Sequence, residues 1–411
     1  MQKVRGERMM HTPVNKWSMT RFYTFLFLVI IFGITQGFLI PVISTMLEQS
    51  HLSPSMNGLS AAMLYLGMLF SMLFYSRLIT RWGYRNTILA GVFILLLTIV
   101  LFPLTKGVWW WSILRFFVGI GNNIALLSCQ VWLIATVDPS QKGKRLAQFG
   151  MMYGLGFGLG PLGLNALSFG FHVPFVMITV LLVISLILAL RLTKGHADFS
   201  DTKEKSSQTP ASYKTAYKLG FLSMIPMLLY GFLEVALSGN FPVYGLKMGL
   251  SNAEISFLIT TFIWGSLVFQ MPLGMLGDKI GRKNLLRILC STGGVGMILV
   301  PFVGDNLISL FIILGITGGL VGSLFSLGLA YMDDILPSHL LPKGSALCSM
   351  HYSIGSIIGP YIGGTLMQYM GIFSLFYFLG FALILFVTLT FVFRIHGVST
   401  KQENIIETQF H

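Results

Sequence analysis

One carboxylate stands alone in apolar surroundings. Of the 14 acidic residues, only Glu234 lies well inside a long hydrophobic run, while Glu254 and Asp334 fall at run ends. A carboxyl that alternates between wet and drier surroundings can load and release a proton. The same group could pair with a cationic substrate, or serve as a structural partner of Arg115. Arg115 opens a second polar set: positions 115, 119, 122 and 123 share one helical face, which groups a cation with Asn122, Asn123 and a glycine. An arginine at membrane depth faces a cavity or a partner unless it snorkels to the surface. Gln36 shares a face with Gly33, Gly37 and Ile40, and Pro41 follows it by five residues. Cys348 and His351 are at helical spacing, but nothing completes a nucleophile-base pair or a metal site around them, so His351 reads as a packed or gate-lining side chain.

These residues are carried by an unusual chain. Its 411 residues are 54% apolar and only 10% charged, against about 25% charge in a soluble domain. Apolar runs recur at 22-46, 57-76, 86-105, 108-135, 147-168, 174-193, 219-243, 254-276, 285-304, 307-332, 346-370 and 372-393. Each is too long and too evenly apolar for a barrel strand, so the expected fold is all-α, with twelve transmembrane helices. The formal charge of +13 fits topology better than nucleic-acid binding. Of 27 basic residues, 24 sort to one side, Lys106 and Lys247 to the other, and Arg115 lies within a helix. By the positive-inside rule both termini and the 194-218 segment are cytoplasmic. The first apolar run reads as a spanning helix and not as a cleaved leader. Three cysteines, all in apolar runs, indicate buried thiols without a disulfide framework.

The polar stretch 194-218 divides the chain into a bundle at 1-193 and a second at 219-411. The halves repeat at an offset of 198: Leu52-Ser53 corresponds to Leu250-Ser251, Gly83 to Gly281, Gly33 to Gly231 and Gln36 to Glu234. With one residue of slippage Gly160-Pro161 matches Gly359-Pro360. Two like bundles related by an axis along the membrane normal place a substrate site at their interface near the midplane.

The loop after 254-276 reads Gly274-Met-Leu-Gly-Asp278-Lys279-Ile-Gly281-Arg282-Lys283. It resembles the signature loop of the major facilitator superfamily at nearly every fixed position. The glycines suit a tight turn, Asp278 can accept from a helix N-terminus, and the basic residues can anchor at the lipid surface. The first-half copy, Arg77 through Thr80, Arg81, Gly83 and Arg85, has Thr80 where the family carries an acid. The stretch Arg115-Phe-Phe-Val-Gly119-Ile-Gly121 is similar to the family's R-x-x-x-G-x-G motif, a resemblance that gives Arg115 a part in proton transfer or substrate binding. Gly355-Ser-Ile-Ile-Gly359-Pro360-Tyr-Ile-Gly363-Gly364 resembles the pattern of the family's proton-driven antiporters. The corresponding fifth run carries Gly156, Gly160 and Pro161 but Leu164-Asn165 for the final glycine pair. Glycines four apart let helices approach closely, and the prolines permit a bend. The first run resembles a drug-antiporter motif with Gln36 in the acid's place.

The resemblance implies the superfamily fold in two pseudo-symmetric six-helix bundles, alternating access and a site lined by spans 1, 4, 7 and 10. It points to proton-coupled efflux of a small amphiphilic organic solute by a bacterial plasma-membrane monomer in contact with membrane lipids. Glu234, Arg115, Gln36, Asn122 and Asn123 are the candidate coupling or substrate residues. A metabolite importer or facilitator, or a flippase for lipid-like substrates, is the alternative. The chain has no H-E-x-x-H, no phosphate-cradling loop and no G-x-S-x-G elbow, which argues against an enzyme, a metal, a cofactor or ATP as energy source.

Overall fold

The computed structural model describes residues 19–192 and 210–392. Within them the chain is helical: α1 (Met19–Gln49), α2 (Pro54–Leu101), α3 (Val108–Thr136), α4 (Lys142–Leu159), α5 (Val173–Arg191), α6 (Pro210–Lys247), α7 (Asn252–Ile280), α8 (Arg282–Val303), α9 (Leu307–Gly322), α10 (Leu324–Ile335), α11 (Leu341–Met370) and α12 (Ser374–Val392).

Among the described residues, nine segments are long and apolar enough to cross a membrane. One of them, 51 residues long, would extend about 75 Å as a single rod, more than twice a hydrocarbon core of about 30 Å. Gly83 divides it, with φ 73° and ψ 172°, so the expected runs 57-76 and 86-105 are two spans joined through one turn. Two glycine-rich helices of lower hydropathy complete the twelve. One is α11. The other is α4, continued by a 3-10 helix over Gly160–Phe169 that begins where Pro161 removes a backbone donor. The run 307-332 breaks at Ser323 into α9 and α10. Helix α6 starts at Pro210, within the 194-218 segment expected to be loop; residues 193–209 and both tails lie outside the described residues.

Local chemistry explains the repeated landmarks. Ser53 accepts from the Met56 N–H at the start of α2, and Ser251 forms a capping box with Glu254 at the start of α7, so the repeated Leu-Ser marks a helix N-terminus in each half. Gly83 and Gly281 both have positive φ (73° and 87°), a conformation only glycine adopts cheaply. In the connection between α3 and α4, Ser140 donates through its N–H and hydroxyl to Asp138 and holds that carboxyl below the usual range.

Within each bundle the helices cross backbone to backbone. A Cβ on Gly33 would strike the Tyr153 carbonyl, and one on Gly231 the Tyr352 carbonyl. Gly156 lies against Ile30 and Gly355 against Leu228; Gly160 meets Gly37, and Gly359 meets Phe232. The first two pairs recur at the repeat spacing and the third is displaced by three residues on α6, so the α1–α4 and α6–α11 crossings are two copies of one packing unit that diverge toward the Gly-Pro pair.

Candidate functional site

Helix α6 has no exposed residue between Leu219 and Leu246, so it has no lipid-facing side in its central stretch. Glu234, midway along it, is nevertheless partly accessible between buried Leu233 and Val235. A side chain accessible there lines an internal space. Tyr352 of α11 donates to Glu234 Oε2 at 2.8 Å, and the ring of Tyr230, one turn earlier on α6, lies beside that of Tyr352 at 5.9 Å. Tyr65 of α2 and Tyr153 of α4 come from the other bundle and lie close enough to feel the Glu234 charge.

Across from it, Gln36 is buried and fully engaged. Its Oε1 accepts from Asn122 Nδ2 at 2.9 Å and from the Tyr153 hydroxyl at 2.8 Å, and its Nε2 donates to the Tyr65 hydroxyl at 3.2 Å. Tyr153 and Tyr352 are repeat mates at the slipped offset of 199, as Gln36 and Glu234 are at 198. The same tyrosine therefore donates to the same helix position in both halves, to an amide in one and to a carboxylate in the other.

The structure places the other candidates elsewhere. Arg115 is wholly buried and donates to Ser60 Oγ (3.1 Å), the Leu39 (3.5 Å) and Ile40 (2.9 Å) carbonyls and Ser44 Oγ (3.2 Å). These bonds tie α1, α2 and α3 together, so the guanidinium neither snorkels nor salt-bridges Glu234. Asn123 turns away from Asn122 and donates to the Met68 carbonyl and Ser71 Oγ of α2. Asn122 alone of that motif reaches the Gln36 cluster. His351 is bonded through Nδ1 to the Leu347 carbonyl and its ring lies tilted beside Tyr217. Cys348 is buried and free, and the described residues hold no group of three or more metal-ligating side chains.

The signature loop departs from expectation in its detail. Asp278 accepts from Arg282 at 3.2 Å in place of a backbone N–H, and Arg282 also reaches Asp334 (2.8 Å) and the Ala330 carbonyl (2.6 Å). Arg282 thus joins the end of α7 to the end of α10 instead of anchoring in lipid headgroups. In the first half Thr80 bonds back to the Ser76 and Arg77 carbonyls of its own helix. Arg81 is exposed. Arg85 caps the C-terminal carbonyls of α5 at Ala189 (3.4 Å) and Leu190 (2.6 Å). Lys283 follows Arg282 in the first turn of α8. We expect Asp278→Asn to slow transport severalfold without loss of folded protein, and Thr80→Ala to leave the rate unchanged, as measured by initial uptake into vesicles. Equal damage from both would show that the first-half copy matters as much.

The opposite end is closed between bundles. Lys247 faces Glu48 at 3.7 Å, Asn165 donates to Ser256 at 3.3 Å, and Ser55 bonds Gln368. Deeper in, Gly154 and Gly158 of α4 receive Leu267 and Trp264 of α7.

A helical bundle with this paired symmetry and an internal polar site between its halves is the architecture of a secondary carrier. The Major Facilitator Superfamily pattern matches residues 25–253 and 224–409. The chain is 36% identical over 366 residues to an uncharacterized MFS-type transporter, YfkF, of Bacillus subtilis (strain 168), covering 88% of this chain and 93% of that one. It is 26% identical over 322 residues to another, YcaD, of Salmonella heidelberg (strain SL476), covering 78% and 82%. In fold it is similar to the nucleoside transporter NupG (TM-score 0.72, 12% identity, 91% of this chain and 99% of that one). It is similar also to a POT family transporter crystallised with a thioalcohol-conjugated peptide (TM-score 0.70, 14% identity, 90% and 95%). The chain belongs to the major facilitator superfamily. It is a multi-pass secondary transporter of small molecules, not an enzyme.

The sequence alone points to Glu234 and Gln36 as candidates but not to the tyrosines packed around them. A signal was present: Tyr153 and Tyr352 fall at the slipped offset that the Gly-Pro pairs had already revealed.

Proposed function

We propose that this transporter exports a small amphiphilic organic solute across the bacterial plasma membrane in exchange for protons, with Glu234 carrying the coupling proton. The observation that carries this reading is the position of Glu234. Among the described residues it is the one carboxylate deep in the bundle interface, it is partly accessible, and its repeat mate is an amide. The Tyr352 hydroxyl holds it while it is ionised and can remain when it is protonated. Arg115 acts indirectly in this scheme, because its bonds fix the middle of α1, three to eight residues beyond Gln36. The bundles 1-193 and 219-411, tethered by 194-218, rock about the site as a monomer. Transport into proteoliposomes after a pH jump, run against cationic, neutral and anionic solutes, tests the scheme. Uphill movement that ignores the pH gradient overturns it.

The orientation proposed is that of the basic asymmetry, with both tails and the central segment cytoplasmic. A cysteine placed at 203 should react with an impermeant maleimide only after the cells are opened. Labelling of intact cells would invert the topology.

A further inference from the structure

At the end of α2 far from Gly83, a groove of about 330 Å³ opens between residues 99–104 and the first turns of α5. Val100, Leu104, Val176 and Val180 line it and are exposed on the outside of the bundle. Its two polar lining residues are Thr179, whose hydroxyl bonds back to the Phe175 carbonyl at 2.7 Å, and His172 at the helix start. The groove therefore offers hydrocarbon along its length and a polar group only at its mouth. Trp111 donates to the Thr105 carbonyl at 3.0 Å and its ring lies 6.2 Å from that of Phe171, which fastens the loop before α3 to the start of α5. Lys106, in that loop, is exposed and pairs with no carboxylate among the described residues.

In a bilayer an exposed apolar face meets acyl chains, and no hydrophobic gain favours one position over another. A concave wall does favour one, because more of a single chain makes dispersion contacts with it. The choice of lipid is left to the mouth. There Lys106 supplies a free cation, and neither α3 nor α5 has a side-chain cap on its first N–H groups, so both helices add positive potential. Exposed Trp109 and Trp110 follow Lys106 directly, the residue type that settles at headgroup level. We propose that this groove holds an acyl chain of an anionic phospholipid, with the headgroup phosphate against Lys106 and His172. Lys247, the other basic residue sorted to this end, is spent on Glu48. Counted from the starts of α3 and α9, the second bundle has Asp305 where the first has Lys106, so the attraction for an anion belongs to one corner of the carrier and not to the repeat.

Photocrosslinking of the full-length carrier in phosphatidylcholine vesicles tests the assignment, with no gradient and no substrate. Phosphatidylglycerol and phosphatidylcholine, each with a diazirine in one acyl chain, are titrated in, and labelled peptides are quantified by mass spectrometry. Labelling of residues 172–180 should saturate with phosphatidylglycerol and exceed that by phosphatidylcholine about fivefold at equal low mole fraction, the discrimination one lysine gives near a membrane surface. Lys106→Gln should bring the two lipids to parity, and Lys106→Arg should keep the preference. Should Lys106→Gln fail to fold, high salt on the unaltered carrier reads the same contrast, because screening should erase the preference. Val176→Phe fills the groove and should cut labelling there by both lipids, while Phe381 on the exposed face of α12 stays equally labelled. Equal labelling of 172–180 by the two lipids, a preference that survives Lys106→Gln, or labelling that rises without a plateau overturns the proposal. So does an equal preference at the Asp305 corner, or a second copy crosslinked through this face.

Discussion

Glu234→Gln should abolish accumulation driven by a pH gradient while leaving exchange across equal gradients intact. The amide has nearly the carboxyl's shape and can still accept from Tyr352, so the site survives, but it cannot release a proton. The substitution also makes the position chemically equal to its repeat mate Gln36, which already sits under a tyrosine donor at 2.8 Å in the folded chain. A one-for-one carrier under one unit of pH difference sustains about tenfold accumulation; the variant should sustain none. Reconstituted transport with and without the gradient reads both quantities. Uphill transport with an unchanged pH profile in the variant would place coupling elsewhere. Loss of exchange for cationic substrates only would make Glu234 a substrate partner without a proton role.

The second large effect concerns packing. Gly37→Val should prevent recovery of folded protein or lower its thermal stability drastically, because the new Cβ would run into the Phe157 carbonyl of α4. Backbone cannot yield there as a flexible side chain would, since α1 and α4 touch again at Gly33–Tyr153 and Gly156–Ile30. Overpacking of this kind costs about 3 kcal/mol and can cost more. Gly143→Val provides the control: a Cβ at Gly143 meets nothing within 4 Å, and only helix propensity changes. Elution profiles and melting temperatures in detergent compare the two. Equal stability would mean that the crossing is looser than the backbone contact implies.

Composition and run length made the spans legible, because a bilayer leaves a backbone few ways to satisfy its polar groups. Glycines and caps made the repeat legible for a similar reason: Gly83, Gly281, Ser53 and Ser251 each answer a local backbone demand that residue type alone reveals. The limits appeared where a tertiary partner decides. Residues 115, 122 and 123 share a face in sequence, yet the partners offered by α1 and α2 send Arg115 and Asn123 away from the site and only Asn122 toward Gln36. The break of the Leu307–Ile335 span at Ser323 also escaped the hydropathy pattern, which reports burial in lipid and is blind to local backbone geometry. Tyrosines were hidden by their amphipathic character, since a ring reads as apolar filling until its hydroxyl finds an acceptor.

The pairing of an amide with a carboxylate at matched positions has an electrical consequence. In the exchange proposed above, Glu234 is the one ionisable group that the described residues place in the pathway, and a carrier of that kind would hold either one proton or one monovalent cation at a time. Each cycle of that proposed exchange would return as much positive charge as it removes. Membrane voltage would do no net work on it, and only the difference in acidity across the membrane would be left to drive it.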